Sequence, residues 1–204
     1  MIHISHPRRN KLNHLTQTAM SDLDFIYEPS SNHYKAMCWI FNDDLLFDDY
    51  EVCDGTLLQR YVLALFFHSY NLVENYQHLG SSHTCDWPGI SCDQSDTFVT
   101  KIDLHDQKIK GTLLTEIGLL ERLEYIDLSG NKLSGSIDHK KFSYMPLLET
   151  FNIANNDIND EIPMELLMLP QIKDINIANN RFVGSLPSDI HYSKTLGELH
   201  YLIQ

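Results

Sequence analysis

The chain has 204 residues, 43% of them apolar, and carries 28 acidic against 15 basic side chains for a formal charge of −13. That length suits one domain with or without a tail, and the apolar share is enough for a packed core. The charge excludes a nucleic-acid binder with a basic footprint and a polybasic lipid anchor, and no apolar run approaches the roughly 18 residues of a membrane span.

Residues 1–36 hold His3, His6 and His14 among Asn and Ser with little periodicity, and read as a disordered tail. Arg8, Arg9 and Lys11 offer the basic start of a secretory signal, but His14, Thr16, Gln17, Thr18, Ser21 and Asp22 occupy the place of its apolar run. Either the protein stays inside the cell or its true start lies upstream of Met1. Residues 37–56 form an acidic linker. Asp43, Asp44, Asp48, Asp49, Glu51 and Asp54 occur there with no basic residue after Phe41. A docking patch or weak cation site is the alternative to a solvated connection.

The next predicted element is a helix over Leu57 to Phe67. Leu58, Tyr61, Val62, Leu65 and Phe66 fall at i, i+3, i+4, i+7 and i+8, one apolar stripe. It opens a helical cap that runs over residues 57–98. Four cysteines are too few for a disulfide scaffold. Cys85 and Cys92 stand seven apart in a Trp/Pro/Gly turn that suits a local bridge, whereas Cys38 and Cys53 are more widely spaced. The spacings offer no C-x-x-C pair for zinc.

From Val99 to the last residue one pattern returns: apolar residues at the first, fourth and sixth positions, an amide at the ninth, and an apolar residue two later. The copies are Val99, Ile102, Leu104, Gln107, Ile109; Leu123, Ile126, Leu128, Asn131, Leu133; Leu148, Phe151, Ile153, Asn156, Ile158; and Ile172, Ile175, Ile177, Asn180, Phe182. The amides are 24, 25 and 24 residues apart, and such self-similarity marks a stacked-repeat architecture. Alternating apolar residues predict a short strand with one buried face in each copy. The amide is expected to turn inward and satisfy backbone groups at the bend. After it comes apolar-x-Gly-x-apolar-Pro, complete in Phe182, Gly184, Leu186, Pro187; in the third copy Asp160 replaces the glycine, which predicts a strained bend. Leu196, Leu199 and Tyr201 begin a fifth copy, with Gln204 in its amide slot. The pattern thus predicts four coils and an incomplete fifth over residues 99–204, as in a fragment or a chain that pairs through this end.

This period and Gly/Ile-Pro tail resemble the plant-type class of leucine-rich repeats, as found in receptor-like ectodomains. Cys85, Trp87, Gly89, Ile90 and Cys92 resemble the C-x-W-x-G-[IV]-x-C cap that opens such domains. The stretch Gln59-Arg60-Tyr61-Val62-Leu63-Ala64-Leu65 before it is similar to repeat proteins abundant in diatoms. The resemblance implies an α/β fold: a right-handed solenoid with a short parallel concave sheet, a second short strand per coil, and a helical N-terminal cap. It further implies a Cys85–Cys92 disulfide, Trp87 packed over the first coil, and an extracellular or membrane-associated location.

Candidate chemistry is sparse. No phosphate loop, H-E-x-x-H pair, G-x-S-x-G elbow or kinase signature occurs, so neither an enzyme nor a cofactor is expected. His78, His83 and Cys85 have no structural-metal spacing, Cys85 with His83 is a weak nucleophile pair, and Asp103 with Asp127 is the one candidate carboxylate pair. The exposed strand positions are the candidate binding face, in three columns. Lys101, Tyr125, Thr150 and Asp174 form one, Asp103, Asp127, Asn152 and Asn176 a second, and His105 and Ser129 begin the third. The columns suit a protein or peptide partner, a basic one by their Asp and Asn content, and less well a glycan; simple surface polarity is the alternative. The expected function is a non-catalytic protein-binding module, part of a receptor-like protein in recognition or signalling. Its rival is a secreted glycan-binding or wall-enzyme-inhibitor protein, which would need a signal peptide and usually N-x-[ST] acceptors, and neither is found.

Overall fold

The computed structural model describes residues 28–42, 55–72, 81–185 and 197–200, within two compact units, residues 1–87 and 88–204. The acidic segment 43–54, the tail histidines, Cys53, His78, Leu196, Tyr201 and Gln204 lie outside the described residues.

In the first unit, helix α1 spans Asn32–Asn42 and packs on α2, Thr56–Ser69. The helix α1 occupies the junction between the expected tail and linker. Its Ala36, Met37, Trp39 and Ile40 are buried, which is what holds a sequence of Asn, His and Lys in helical form. The helix α2 differs from the single apolar stripe expected of it. Leu58 is only half-buried, while Gln59 and Arg60 are buried with the apolar residues from Tyr61 to Phe67. Burying an arginine requires compensation for its lost hydration. The Arg60 guanidinium lies 5.5 Å from the Trp39 ring centre and 5.1 Å from that of Trp87, and its Nη1 donates to Ser82 O and Thr84 Oγ1. Trp87 also meets Trp39 and Phe67 edge-on, at 5.7 and 5.1 Å between ring centres. Cys85 and Cys92 are disulfide-bonded, and Cys38 carries a free thiol.

The second unit is a stack of coils. Strand β1 (Ile90–Cys92) pairs antiparallel with β2 (Val99–Asp103), so a hairpin begins the sheet. Strands β4 (Tyr125–Asp127), β6 (Thr150–Asn152), β8 (Asp174–Asn176) and β9 (Glu198–His200) then follow β2 in parallel. Gly89 makes the hairpin possible. At φ 76° a Cβ there would sit 2.4 Å from Asp103 O, whereas Gly89 O instead accepts a hydrogen bond from Asp103 N at 2.7 Å. A second sheet is built from β3 (Lys110–Gly111), β5 (Lys132–Gly135) and β7 (Asp157–Ile158), beside the first. The opposite side of each coil is a short helical turn: Thr115–Leu119, His139–Tyr144 and, as α3, Met164–Leu167. Every apolar residue named in the four copies is at most 3% exposed, so the repeat pattern and the core coincide.

The inward amides carry the stack. Asn131 Oδ1 accepts from Ile109 N at 3.0 Å while its Nδ2 donates to Leu104 O and Leu128 O at 2.9 and 2.8 Å. Asn156 repeats this with Leu133 N, Leu128 O and Ile153 O, and Asn180 with Ile158 N, Ile153 O and Ile177 O. Each amide therefore serves its own coil and the one before it. Gln107 departs from the expectation: it is exposed and, among the described residues, donates only to His105 O at 3.1 Å. Its coil is the first of the four copies, so it has no preceding copy to bond, and Lys108 beside it adopts φ 60°.

Two further local rules emerge. The residue before each amide is left-handed: Asp106, Gly130, Asn155 and Asn179 have φ between 54° and 67°, and only residues tolerant of that region fill the slot. The bend at Asp160 is not strained as expected. Asp160 has no positive φ, and its carboxylate accepts from Ile137 N at 2.6 Å, a polar stitch to the preceding coil in place of the glycine turn. Replacing Asn156 by Ala strands buried backbone groups on two coils and should lower stability by about 1–3 kcal/mol in denaturant melts. Gln107→Ala should stay within about 0.5 kcal/mol.

Candidate functional site

The sheet register brings the candidate residues into columns. Lys101, Tyr125, Thr150, Asp174 and Glu198 are successive strand partners, as are Asp103, Asp127, Asn152, Asn176 and His200. Apolar Ile102, Ile126, Phe151, Ile175 and Leu199 lie between them, so period-2 alternation turns both columns outward. His105, Ser129, Ala154 and Ala178 follow at the strand ends; Asp106 N donates to Ser129 O and Gly130 N to Ala154 O, which aligns this third column.

The second column is largely occupied by the fold itself. Ser129 N donates to Asp127 Oδ1 at 2.9 Å, Ala154 N to Asn152 Oδ1 at 3.1 Å and Ala178 N to Asn176 Oδ1 at 3.2 Å. These are turns closed by an Asx side chain on the backbone two residues ahead, which accounts for the Asp/Asn choice without a ligand. Asp127 is further held by Ser129 Oγ at 2.6 Å, Asn152 Nδ2 at 2.9 Å and Tyr125 Oη at 3.3 Å. Asp103 breaks the pattern, because His105 Nδ1 lies 2.6 Å from its Oδ1 and Lys101 Nζ 3.0 Å from its Oδ2. The two aspartates, direct strand partners, thus hold different hydrogen-bond partners. Sequence reasoning missed this internal use; the Asp/Asn residue two before Ser129, Ala154 and Ala178 was the available signal.

The first column keeps more of its chemistry accessible. Lys101 Nζ lies 4.4 Å above the Tyr125 ring centre, a cation–π contact that orders both side chains. Asp174 is exposed and enters no ion pair among the described residues, while Glu198 lies 3.1 Å from His200. Burial acts to raise the Asp103 pKa, but the bonds from His105 and Lys101 outweigh it and hold the carboxyl below its ordinary range. The bond to Asp103 raises the His105 imidazole. Burial, with the nearby Asp127 and Asp103 carboxylates, raises the Tyr125 phenol, which stays protonated and donates to Asp127. The His83 Nδ1 accepts from Cys85 N at 3.4 Å and caps the turn Thr84–Asp86. Among the described residues no group of three His, Cys, Asp or Glu could hold a metal, and no helix is long and apolar enough to cross a membrane.

Residues 122–140 match the Leucine Rich Repeat family. The chain is 32% identical over 87 residues to phytosulfokine receptor 1 of Arabidopsis thaliana, covering 42% of this chain and 8% of that protein. Among solved structures it is similar to the Arabidopsis receptor kinase HAESA ectodomain in complex with an IDA peptide hormone ligand. That likeness has a TM-score of 0.55 and 18% identity, over 74% of this chain and 29% of the other. The PEPR1–AtPEP1 structure gives a TM-score of 0.51 and 26% identity over 59% of this chain and 20% of the other. The chain thus spans a small part of the relatives it matches, and the narrower likeness to diatom proteins is not carried by these comparisons.

The His105–Asp103 contact gives a pH signature with a fixed sign. A raised imidazole pKa contributes stability that is full below about 6.5, the ordinary histidine value, and is lost as pH rises through the raised folded value. An NMR titration should place the His105 midpoint above that ordinary value, and Asp103→Asn should lower it towards that value. A midpoint that Asp103→Asn does not move contradicts the contact.

Proposed function

We propose that the chain, a stack of coils with the leucine-rich-repeat pattern, is a non-catalytic binding module that takes an extended polypeptide along its first concave column. The observation that supports this reading most is the unbroken register of Lys101, Tyr125, Thr150, Asp174 and Glu198. Five strands about 4.8 Å apart make a track of about 19 Å, the length of roughly six extended residues at about 3.3 Å each. Tyr125 supplies a rigid aromatic surface, Thr150 a hydroxyl, and Asp174 a carboxylate free of ion pairs among the described residues. A ligand residue facing Asp174 is basic, since an uncompensated carboxylate selects against its own sign. The peptide hormone ligand held by the similar HAESA ectodomain, and the likeness to phytosulfokine receptor 1, support a role in recognition as part of a receptor-like protein. The glycan-binding or inhibitor role is the reading it competes with.

The experiment is panning of a displayed random octapeptide library against the chain, beside an array of plant cell-wall oligosaccharides. Peptides rich in Lys or Arg should be enriched. Tyr125→Ala combined with Asp174→Lys should weaken the selected peptide at least tenfold with unchanged circular dichroism. Asp127 and Asn152 are left intact because their side chains cap the backbone. Retention of wall oligosaccharides without peptide enrichment, or undiminished binding by the double variant, overturns the proposal.

A further inference from the structure

The second sheet carries charge that the concave face does not use. Lys108, Lys110 and Lys132 are all exposed, and Lys110 is the direct strand partner of Lys132. Ile109 and Leu133 point into the core at 1% and 0% exposure, so alternation sends Lys110 and Lys132 outward, while Lys108 is exposed in the left-handed turn just before the strand. Lys132 N donates to Ile109 O at 2.7 Å, which locks the two strands at this register. Like charges directly opposite on neighbouring strands are unfavourable. Yet among the described residues none of the three lysines enters an ion pair, whereas Lys101, Lys173 and Arg181 all do. The nearby acids do not relieve them. Asp157 is held by Arg181 at 2.7 Å, and the carboxylate of Asp106 lies against Gly130, in the space a Cβ there would take. A chain of formal charge −13 therefore keeps an uncompensated cationic edge where its own acids are spoken for.

We propose that the Lys108–Lys110–Lys132 edge is an interaction surface for an acidic segment of a protein partner. Charge complementarity names the chemistry, and the dimensions favour a narrow strand over a broad anionic surface. Lys110 and Lys132 stand about 5 Å apart across the strands, with Lys108 two residues before Lys110. A bilayer would also face the acidic remainder of the molecule, while a single acidic strand within a Debye length of about 8 Å feels chiefly the lysines. The proposal concerns a different sheet from the concave track and stands or falls apart from it.

Fluorescence anisotropy with a labelled decaglutamate peptide tests it on the full chain. Binding should be measurable at low salt and at least tenfold weaker at 300 mM, about as expected for contacts screened by salt. Lys110→Glu with Lys132→Glu should abolish it, and the milder Lys110→Gln with Lys132→Gln should weaken it several-fold without lowering the melting temperature. Lys35→Glu with Lys140→Glu removes equal charge elsewhere and should retain binding. Absence of binding, equal loss in the two charge-reversed pairs, or capture of phosphatidylserine vesicles with the peptide left unbound overturns the proposal.

Discussion

The buried side chains of Asn131, Asn156 and Asn180 are the constraint on which the coils depend. A coil that leaves its strand must turn sharply, and the turn leaves a backbone N–H and two or three carbonyls facing an apolar interior. Buried polar groups of that kind are costly unless paired. One amide per coil answers with an acceptor for the N–H and donors for the carbonyls. The acceptor and one donor bond reach the preceding coil, so the same side chain closes a bend and sets the spacing between neighbours. The hydrophobic residues supply the greater part of the driving force, but they are non-directional. Register comes from the amides, the strand ladder and the left-handed slot before each amide.

That register is what turns separate surface residues into continuous columns. Because every strand is held in step, positions 24 or 25 apart become neighbours, and chemistry far apart in sequence is read as a column. The fold uses much of this polarity itself. Asp127, Asn152 and Asn176 close the strand ends on backbone N–H groups, leaving the Lys101–Tyr125–Thr150–Asp174 track and the lysines of the second sheet as surfaces with chemistry to spare. Their signs differ: the track ends on exposed carboxylates, and the edge is cationic. The stacked coils thus carry one face ending on exposed carboxylates and one cationic face.

Periodicity made the solenoid legible. The apolar positions of each copy, the short parallel strands, the second strand beside them and the Cys85–Cys92 bridge all follow from spacing or from the cap motif, because the same demand recurs in every coil. Features that occur once were harder to read. The helix α1 depends on the burial of Ala36, Met37, Trp39 and Ile40 against α2, a tertiary effect that overrides its polar composition. Gln107 fits the amide pattern yet is exposed, because the pattern records the slot and not whether a preceding copy exists to be bonded. Asp160 breaks a glycine rule but satisfies the bend through its carboxylate. On the candidate site, the columns were visible from the repeat, whereas the share of their hydrogen bonding consumed internally required the distances.

Native-state amide hydrogen exchange tests the central claim most directly. Ile109, Leu133 and Ile158 N–H groups each donate to an asparagine side chain of the following coil. If the amides fix the stack, these three exchange only through global unfolding, with protection equal to that of the core strand amides. Exchange of any of them by local opening, while the strand amides stay protected, would show that the coils are held in step without the asparagines.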